Sequence, residues 1–275
     1  MELQGICHKM HAGLKDVSLT DHQTHKANVE YKFILDRTEF DLPFSLGQEV
    51  EIEATGNIYC ISCGTKTSKS FSQGHCFKCF KTKASCDMCI MKPETCHYHL
   101  GTCREESFAQ EVCFQPHIVY LANSSGVKVG VTRETQIPTR WIDQGASEAI
   151  VIARTANRYE AGMIEVSLKE VIADKTNWQR MLKNEVPEVN LFEKYQEIKN
   201  IIGVDFQQFL VEEPEVYQLN YPVISYPEKV KSLNLKKTPE IEGVLKGIKA
   251  QYLIFEDNSV FNVRGHEGFY VKLDL

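Results

Sequence analysis

The sequence predicts an α+β protein in which β-rich segments at both ends flank a cysteine-rich module and a small α/β domain. Three observations carry this. Eight of the ten cysteines fall between Cys60 and Cys103. Apolar and polar residues alternate with a period of two near both termini, as in half-buried strands. Between 117 and 202, strand-like runs give way to apolar residues at helical spacing. The expected divisions are 1–59, an N-terminal β segment; 60–115, the cysteine-rich module; 116–203, the α/β domain; and 204–275, a C-terminal β meander.

Val29–Leu35 and Glu49–Glu53 are the clearest N-terminal strands. At the other end, 250–255, 259–263 and 269–273 read as three strands joined by turns. Strands at both termini suggest that they join in one small barrel or sheet. Leu191, Tyr195, Ile198 and Ile202 share one face of a helix that Gly203 ends. Asp174–Trp178 opens a shorter helix.

Composition narrows the functional classes. Hydrophobic content of 43% and charged content of 25% are those of an ordinary folded protein. A net charge of −6 gives no overall attraction to polyanions, so a nucleic-acid site would have to be a local patch. No apolar run approaches the roughly 18–20 residues of a membrane span, and the first residues lack the apolar stretch of a signal peptide. The expected location is the cytoplasm, with no membrane partner. Its reducing chemistry favours metal binding over disulfides.

Cys60-x-x-Cys63 and Cys76-x-x-Cys79 have the paired-loop spacing of a zinc ribbon, with Gly64 and Gly74 placed to allow the turns. Cys86, Cys89, Cys96 and Cys103 make a second set, in which His97 or His99 is an alternative to Cys96; interleaved pairing of the two sets stays open. Two closed four-ligand zinc shells are structural, because a catalytic zinc keeps an open position. His75 reads as a neighbour rather than a ligand. Cys7, His8 and His11 read as ordinary N-terminal residues. Lys66, Lys69, Lys78, Lys81 and Lys83 lie in an acid-free stretch and interleave with Phe71, Phe77 and Phe80. Such loops suit phosphate contact and base stacking; a small aromatic core around the metal is the plainer reading.

The strand His117–Ala122, the turn Asn123–Gly126, the strand Val127–Thr132, then Arg140, the strand Ala149–Ala153 and a helix headed by Asn157–Glu160 follow one another in an order that resembles a divergent GIY-YIG nuclease domain. Ile118-Val-Tyr120 matches the end of the first motif, with its leading Gly replaced. Lys128-Val-Gly130 falls on the second motif, with Lys128 in place of its Tyr, and Thr132 stands where the family often has a small hydroxyl residue. Arg140, Glu160 and Asn177 match the family's Arg, Glu and late Asn. Zinc-binding cysteines ahead of such a domain also resemble an uncharacterised prokaryotic family of unknown function.

The resemblance implies DNA or RNA as partner. Tyr120 would orient or deprotonate water, Arg140 would clamp phosphate, and Glu160 would carry Mg²⁺ or Mn²⁺. Lys128 binds phosphate but is no base unless burial lowers its pKa, so binding without cleavage is an alternative, as is a zinc-stabilised protein-interaction scaffold. Each residue also has a plain role. Tyr120 fits a strand core, Arg140 can stack on Trp141 or pair with a carboxylate, Glu160 fits a capping box begun by Asn157, and Asn177 fits an N-cap. The nuclease reading requires Tyr120, Lys128, Arg140 and Glu160 to converge.

Overall fold

A computed structural model describes residues 2–41, 45–169, 171–172 and 177–274. The chain begins with strands β1 (Glu2–Leu19), β2 (Thr24–Leu35), β3 (Thr38–Asp41), β4 (Glu49–Tyr59) and β5 (Lys66–Thr67), then helix α1 (Phe77–Thr82). A run of 3₁₀ turns leads to α2 (Glu106–Phe108). Next come β6 (His117–Asn123), β7 (Val127–Arg133), α3 (Thr139–Asp143), β8 (Glu148–Thr155), α4 (Arg158–Leu168), α5 (Trp178–Leu182), α6 (Leu191–Ile201), α7 (Val204–Gln207) and β9 (Val216–Asn220). The chain closes with β10 (Lys231–Leu233), β11 (Glu240–Lys249), β12 (Tyr252–Phe255), β13 (Ser259–Asn262) and β14 (Phe269–Asp274). Asp174, expected to open a helix, lies outside the described residues; α5 starts at Trp178, capped by the side chain of Asn177.

The chain divides into two compact units. The first comprises Met1–Lys15, Asn28–Thr82 and Tyr221–Leu275; the second comprises Asp16–Ala27 and Lys83–Asn220. The cysteine-rich segment is therefore split between Thr82 and Lys83.

In the first unit the strand order is β10-β13-β12-β11-β4-β14-β1-β2, with β3 also paired to β2 and β5 to β4, and it is not closed into a barrel. Of the two expected arrangements for the terminal strands, the sheet is the one found: β14 pairs with both β1 and β4, and β4 also pairs with β11. Alternation explains why these segments are strands. Val29, Tyr31 and Phe33 of β2 and Val50 and Ile52 of β4 are buried, while the residues between them face outward. Cys7 is buried in β1, which pushes its thiol pKa well up and leaves it a core residue.

The second unit is built on the antiparallel order β9-β8-β6-β7. Strand β6 is buried along its whole length. Val119, Leu121 and Val129 pack against Ala161, Ile164 and Leu168 of α4 and Leu191, Tyr195 and Ile198 of α6. On β6 these residues alternate with Ile118, Tyr120 and Ala122, whose side chains leave from the opposite face. The hairpin register sets Tyr120 opposite Gly130 and Ala122 opposite Lys128, so both motif positions lie on that opposite face.

Candidate functional site

Two groups of side chains have the chemistry of a site, one in each unit. The first begins where β4 ends. Cys60 donates its backbone N–H to the carbonyl of Thr65 at 2.9 Å, and β5 turns back to pair with β4, which folds Cys60 to Cys63 into a knuckle. Gly64 and Gly74 take φ values of +69° and +111°, the left-handed conformations these turns demand. The N–H of Ile61 donates to the carbonyl of Gly74 at 2.9 Å and ties this knuckle to the next, where Cys76 precedes α1 and Cys79 lies in its first turn.

The four sulfurs of Cys60, Cys63, Cys76 and Cys79 all lie within 4.8 Å of one another, and those of Cys63 and Cys76 are 3.9 Å apart. A tetrahedral zinc with arms of about 2.3 Å needs its sulfurs about 3.8 Å apart. The arrangement is compatible with a structural zinc. Hydrogen bonding with Thr65 holds the Cys63 thiol down at about 6, already suited to a metal, while burial pushes Cys79 up to about 12. His75 is buried and its Nδ1 meets the Ser72 carbonyl at 3.1 Å, so it braces the loop.

Phe71 lies 5.5 Å from Phe77 and 5.7 Å from Phe80, centroid to centroid, in one small cluster beside the knuckles. Phe71 and Phe80 are half-buried there, while Phe77 stays 57% exposed. Lys66, Lys69, Lys78 and Lys81 are exposed and form no ion pair among the described residues. Lys83 differs: it belongs to the second unit and pairs with Glu105 at 2.7 Å.

The second group surrounds Tyr120, which is fully buried. A Cβ on Gly130 would fall 2.6 Å from its hydroxyl oxygen, so glycine is what lets the ring lie across β7. Gln144 Nε2 donates to that hydroxyl at 2.8 Å, and Trp141 of α3 stands edge-on at 6.4 Å. Arg140, on the same short helix, lies within electrostatic reach of the Tyr120 hydroxyl. It also lies within electrostatic reach of Lys128 and of Glu165 on α4.

Burial, helped by the like charge of Arg140, brings the Lys128 ammonium down to about 8. Burial raises the Tyr120 phenol above its ordinary value against the pull of Arg140, and it raises the Glu165 carboxyl against its partner Lys169, 3.5 Å away. Two half-buried cations within electrostatic reach of each other, with one of them destabilised, form a site suited to an anion.

Glu160 stands elsewhere. Its backbone N–H donates to Asn157 Oδ1 at 3.0 Å and its carboxylate accepts from the N–H of Ala156 at 3.1 Å, which completes the capping box of α4. Asn177 caps α5, accepting from the N–H groups of Gln179 and Arg180 at 2.9 and 3.2 Å. Of the five residues expected to carry chemistry, Tyr120, Lys128 and Arg140 thus lie in one region, with Glu165 of α4 within electrostatic reach of them. The sequence signal for Glu165 was helical phase. Five residues beyond Glu160 is a rotation of about 140°, so the two acids face different sides, and the capping box already occupied the first.

Cys86 is half-buried within a 3₁₀ turn, whereas Cys89, Cys96 and Cys103 line one small cavity. His97 Nδ1 bonds Thr102 Oγ1 at 2.8 Å. His117 is buried with Nδ1 on the Gln115 carbonyl at 2.7 Å, and burial lowers its pKa to about 4, as for a neutral core histidine.

A family model described as protein of unknown function (DUF2797) matches residues 47–271, most of the chain, and the chain belongs to that family. No curated protein matches it, and no solved structure matches it.

Proposed function

We propose that this member of the DUF2797 family binds nucleic acid, with the backbone phosphate held by Arg140 and Lys128 in the second unit. The observation that carries the reading is that these two half-buried cations lie within electrostatic reach of each other on the face of the hairpin that carries Tyr120. Arg140 offers a planar fork of donors and Lys128 a point charge, the complementary pair of phosphate contacts. Gln144 and Tyr120 fix the floor of the site through their 2.8 Å hydrogen bond. In the first unit, Lys66, Lys69, Lys78 and Lys81 are exposed on loops that the four cysteines stiffen, and they suit sequence-independent phosphate contact. The Cys60–Cys79 centre is read as structural, since four thiolates fill a zinc shell. The test is anisotropy with labelled DNA and RNA oligonucleotides across a salt series. Affinity that rises as salt falls supports the reading, and absent or salt-independent binding contradicts it.

A second reading, phosphodiester hydrolysis in the manner of GIY-YIG nucleases, is favoured by one observation: Glu165 is the acid within reach of Arg140. Here Glu165, not the capping residue Glu160, would hold Mg²⁺ or Mn²⁺ against the leaving oxygen, and Arg140 would meet the charge that develops on phosphate. Tyr120 would then orient the attacking water rather than deprotonate it, because its raised pKa keeps the phenol protonated. Metal-dependent cleavage lost in Glu165→Gln and kept in Glu160→Gln is the expected result; cleavage lost in Glu160→Gln alone contradicts the assignment.

A further inference from the structure

We infer that Cys89, Cys96, Cys103 and Cys113 bind a second zinc ion, which pins the 3₁₀-turn segment of the second unit onto α4. These four residues line a single cavity of about 20 Å³, and Cys86 is not among its lining. The repeated C-x-x-C spacing of Cys86 and Cys89 therefore does not make a shared shell. The fourth ligand comes from ten residues beyond Cys103.

The segment itself calls for such a tie. From Ala84 to Leu100 it is four short 3₁₀ turns with no strand, and only Ala84 and Pro93 are buried within them. Its large apolar residues face water: Met88 is 64% exposed, Met91 77% and Leu100 66%. With its cysteines lining the cavity and these three residues facing water, the segment keeps only a small apolar contact set of Ala84, Ile90, Tyr98, Phe108 and Ala109, and metal coordination is the usual supplement to so small a core. Four thiolates around one cavity select zinc among the common ions, and the small cavity suits one ion rather than a four-iron cluster.

A competing trio, Asp87, Cys89 and His97, has ligand atoms within 4.8 Å of one another. Two of its members are already engaged. Asp87 pairs with Arg104 at 2.7 Å and with His97 at 3.6 Å, and His97 binds Thr102 through Nδ1. They fit as outer partners that orient the thiolate loop.

The cavity sits against α4. Cys89 lies in the turn Met88–Ile90, and the Ile90 carbonyl accepts a hydrogen bond from Arg158 Nη2 at the first residue of α4. Arg158 Nε is buried without a hydrogen-bond partner among the described residues, and the side chain feels the charge of both Cys113 and Cys89. One turn on, a Cβ on Gly162 would lie 2.6 Å from Pro93, so loop and helix are in backbone-close contact. Losing the metal would free this loop and with it the N-terminal half of the helix that carries Glu165.

The test uses the purified full chain. Inductively coupled plasma mass spectrometry should find two zinc ions per chain, falling to one in Cys113→Ala and staying at two in Cys86→Ala and His97→Ala. As a check that needs no variant, N-ethylmaleimide should label Cys86 in the metal-loaded protein and Cys113 only after chelation. Chelation should also speed hydrogen exchange in α4. One zinc in the wild type, zinc lost from Cys86→Ala but not from Cys113→Ala, early labelling of Cys113, or iron with sulfide in place of zinc would each overturn the assignment.

Discussion

The Cys60–Cys79 centre and the Arg140 group make opposite demands on the chain. The cysteine centre needs two tight turns and a short helix within twenty residues, and its spacing is set by the turns alone. The Arg140 group needs a hairpin register, a helix after it and a second helix after β8, so its members meet only when the sheet has formed. A motif made by local turns survives as a readable spacing. A site made by tertiary packing leaves only residue types in order, and any of them can be taken over by a structural task.

The largest effect that would break this comparison concerns the local centre. Chelation, or Cys63→Ala with Cys76→Ala, should empty this centre and unfold the knuckle-and-helix segment, because a structural zinc site in a small peptide is worth about 10–16 kcal/mol of coupled binding and folding. Limited proteolysis should then cut near residues 61–82 in the apo protein and not in the metal-loaded one. Protection that is unchanged by chelation would mean the turns hold without metal.

Smaller effects sharpen the tertiary half. Gly130→Ala inserts a methyl against the Tyr120 ring and should cost about 1–3 kcal/mol in a denaturant titration; a neutral result would mean the ring is free to move. Lys128 gives a pH signature. With its pKa lowered to about 8, it is charged below that value and loses its proton as pH rises through it. Nucleic-acid affinity should therefore fall between about pH 7 and 9, and Lys128→Arg should flatten the profile because guanidinium keeps its charge. A profile that Lys128→Arg leaves unchanged would remove Lys128 from the site. The smallest change is expected for Glu160→Gln, which keeps the capping box and should alter stability by less than about 0.5 kcal/mol, with binding unaffected.

Much of the fold was legible because it rests on short-range periodicity. The alternation of Val29, Tyr31 and Phe33 and the helical face of Leu191, Tyr195 and Ile198 both describe real buried surfaces. The order of strands was not legible. That β14 fits between β1 and β4 is a long-range pairing with no local signal, and it decides for a sheet over a barrel. At the candidate site, Tyr120, Lys128, Arg140 and Glu160 were named through their order along the chain; of these Glu160 caps α4, the role that its spacing from Asn157 also offered. Among the cysteines the local C-x-x-C spacing drew in Cys86, whereas Cys113 reaches the cavity lined by Cys89, Cys96 and Cys103 only through the fold.

The account turns on Arg140 as a phosphate contact, and one titration addresses it directly. Affinity for a single-stranded oligonucleotide should be measured for the wild type and for Arg140→Ala across salt concentrations, with circular dichroism to check folding. The account predicts affinity about ten- to a hundredfold weaker, from the loss of a charge-assisted contact worth about 1.5–3 kcal/mol, and a slope of log affinity against log salt shallower by about 0.7. A folded Arg140→Ala with wild-type affinity and slope would contradict it.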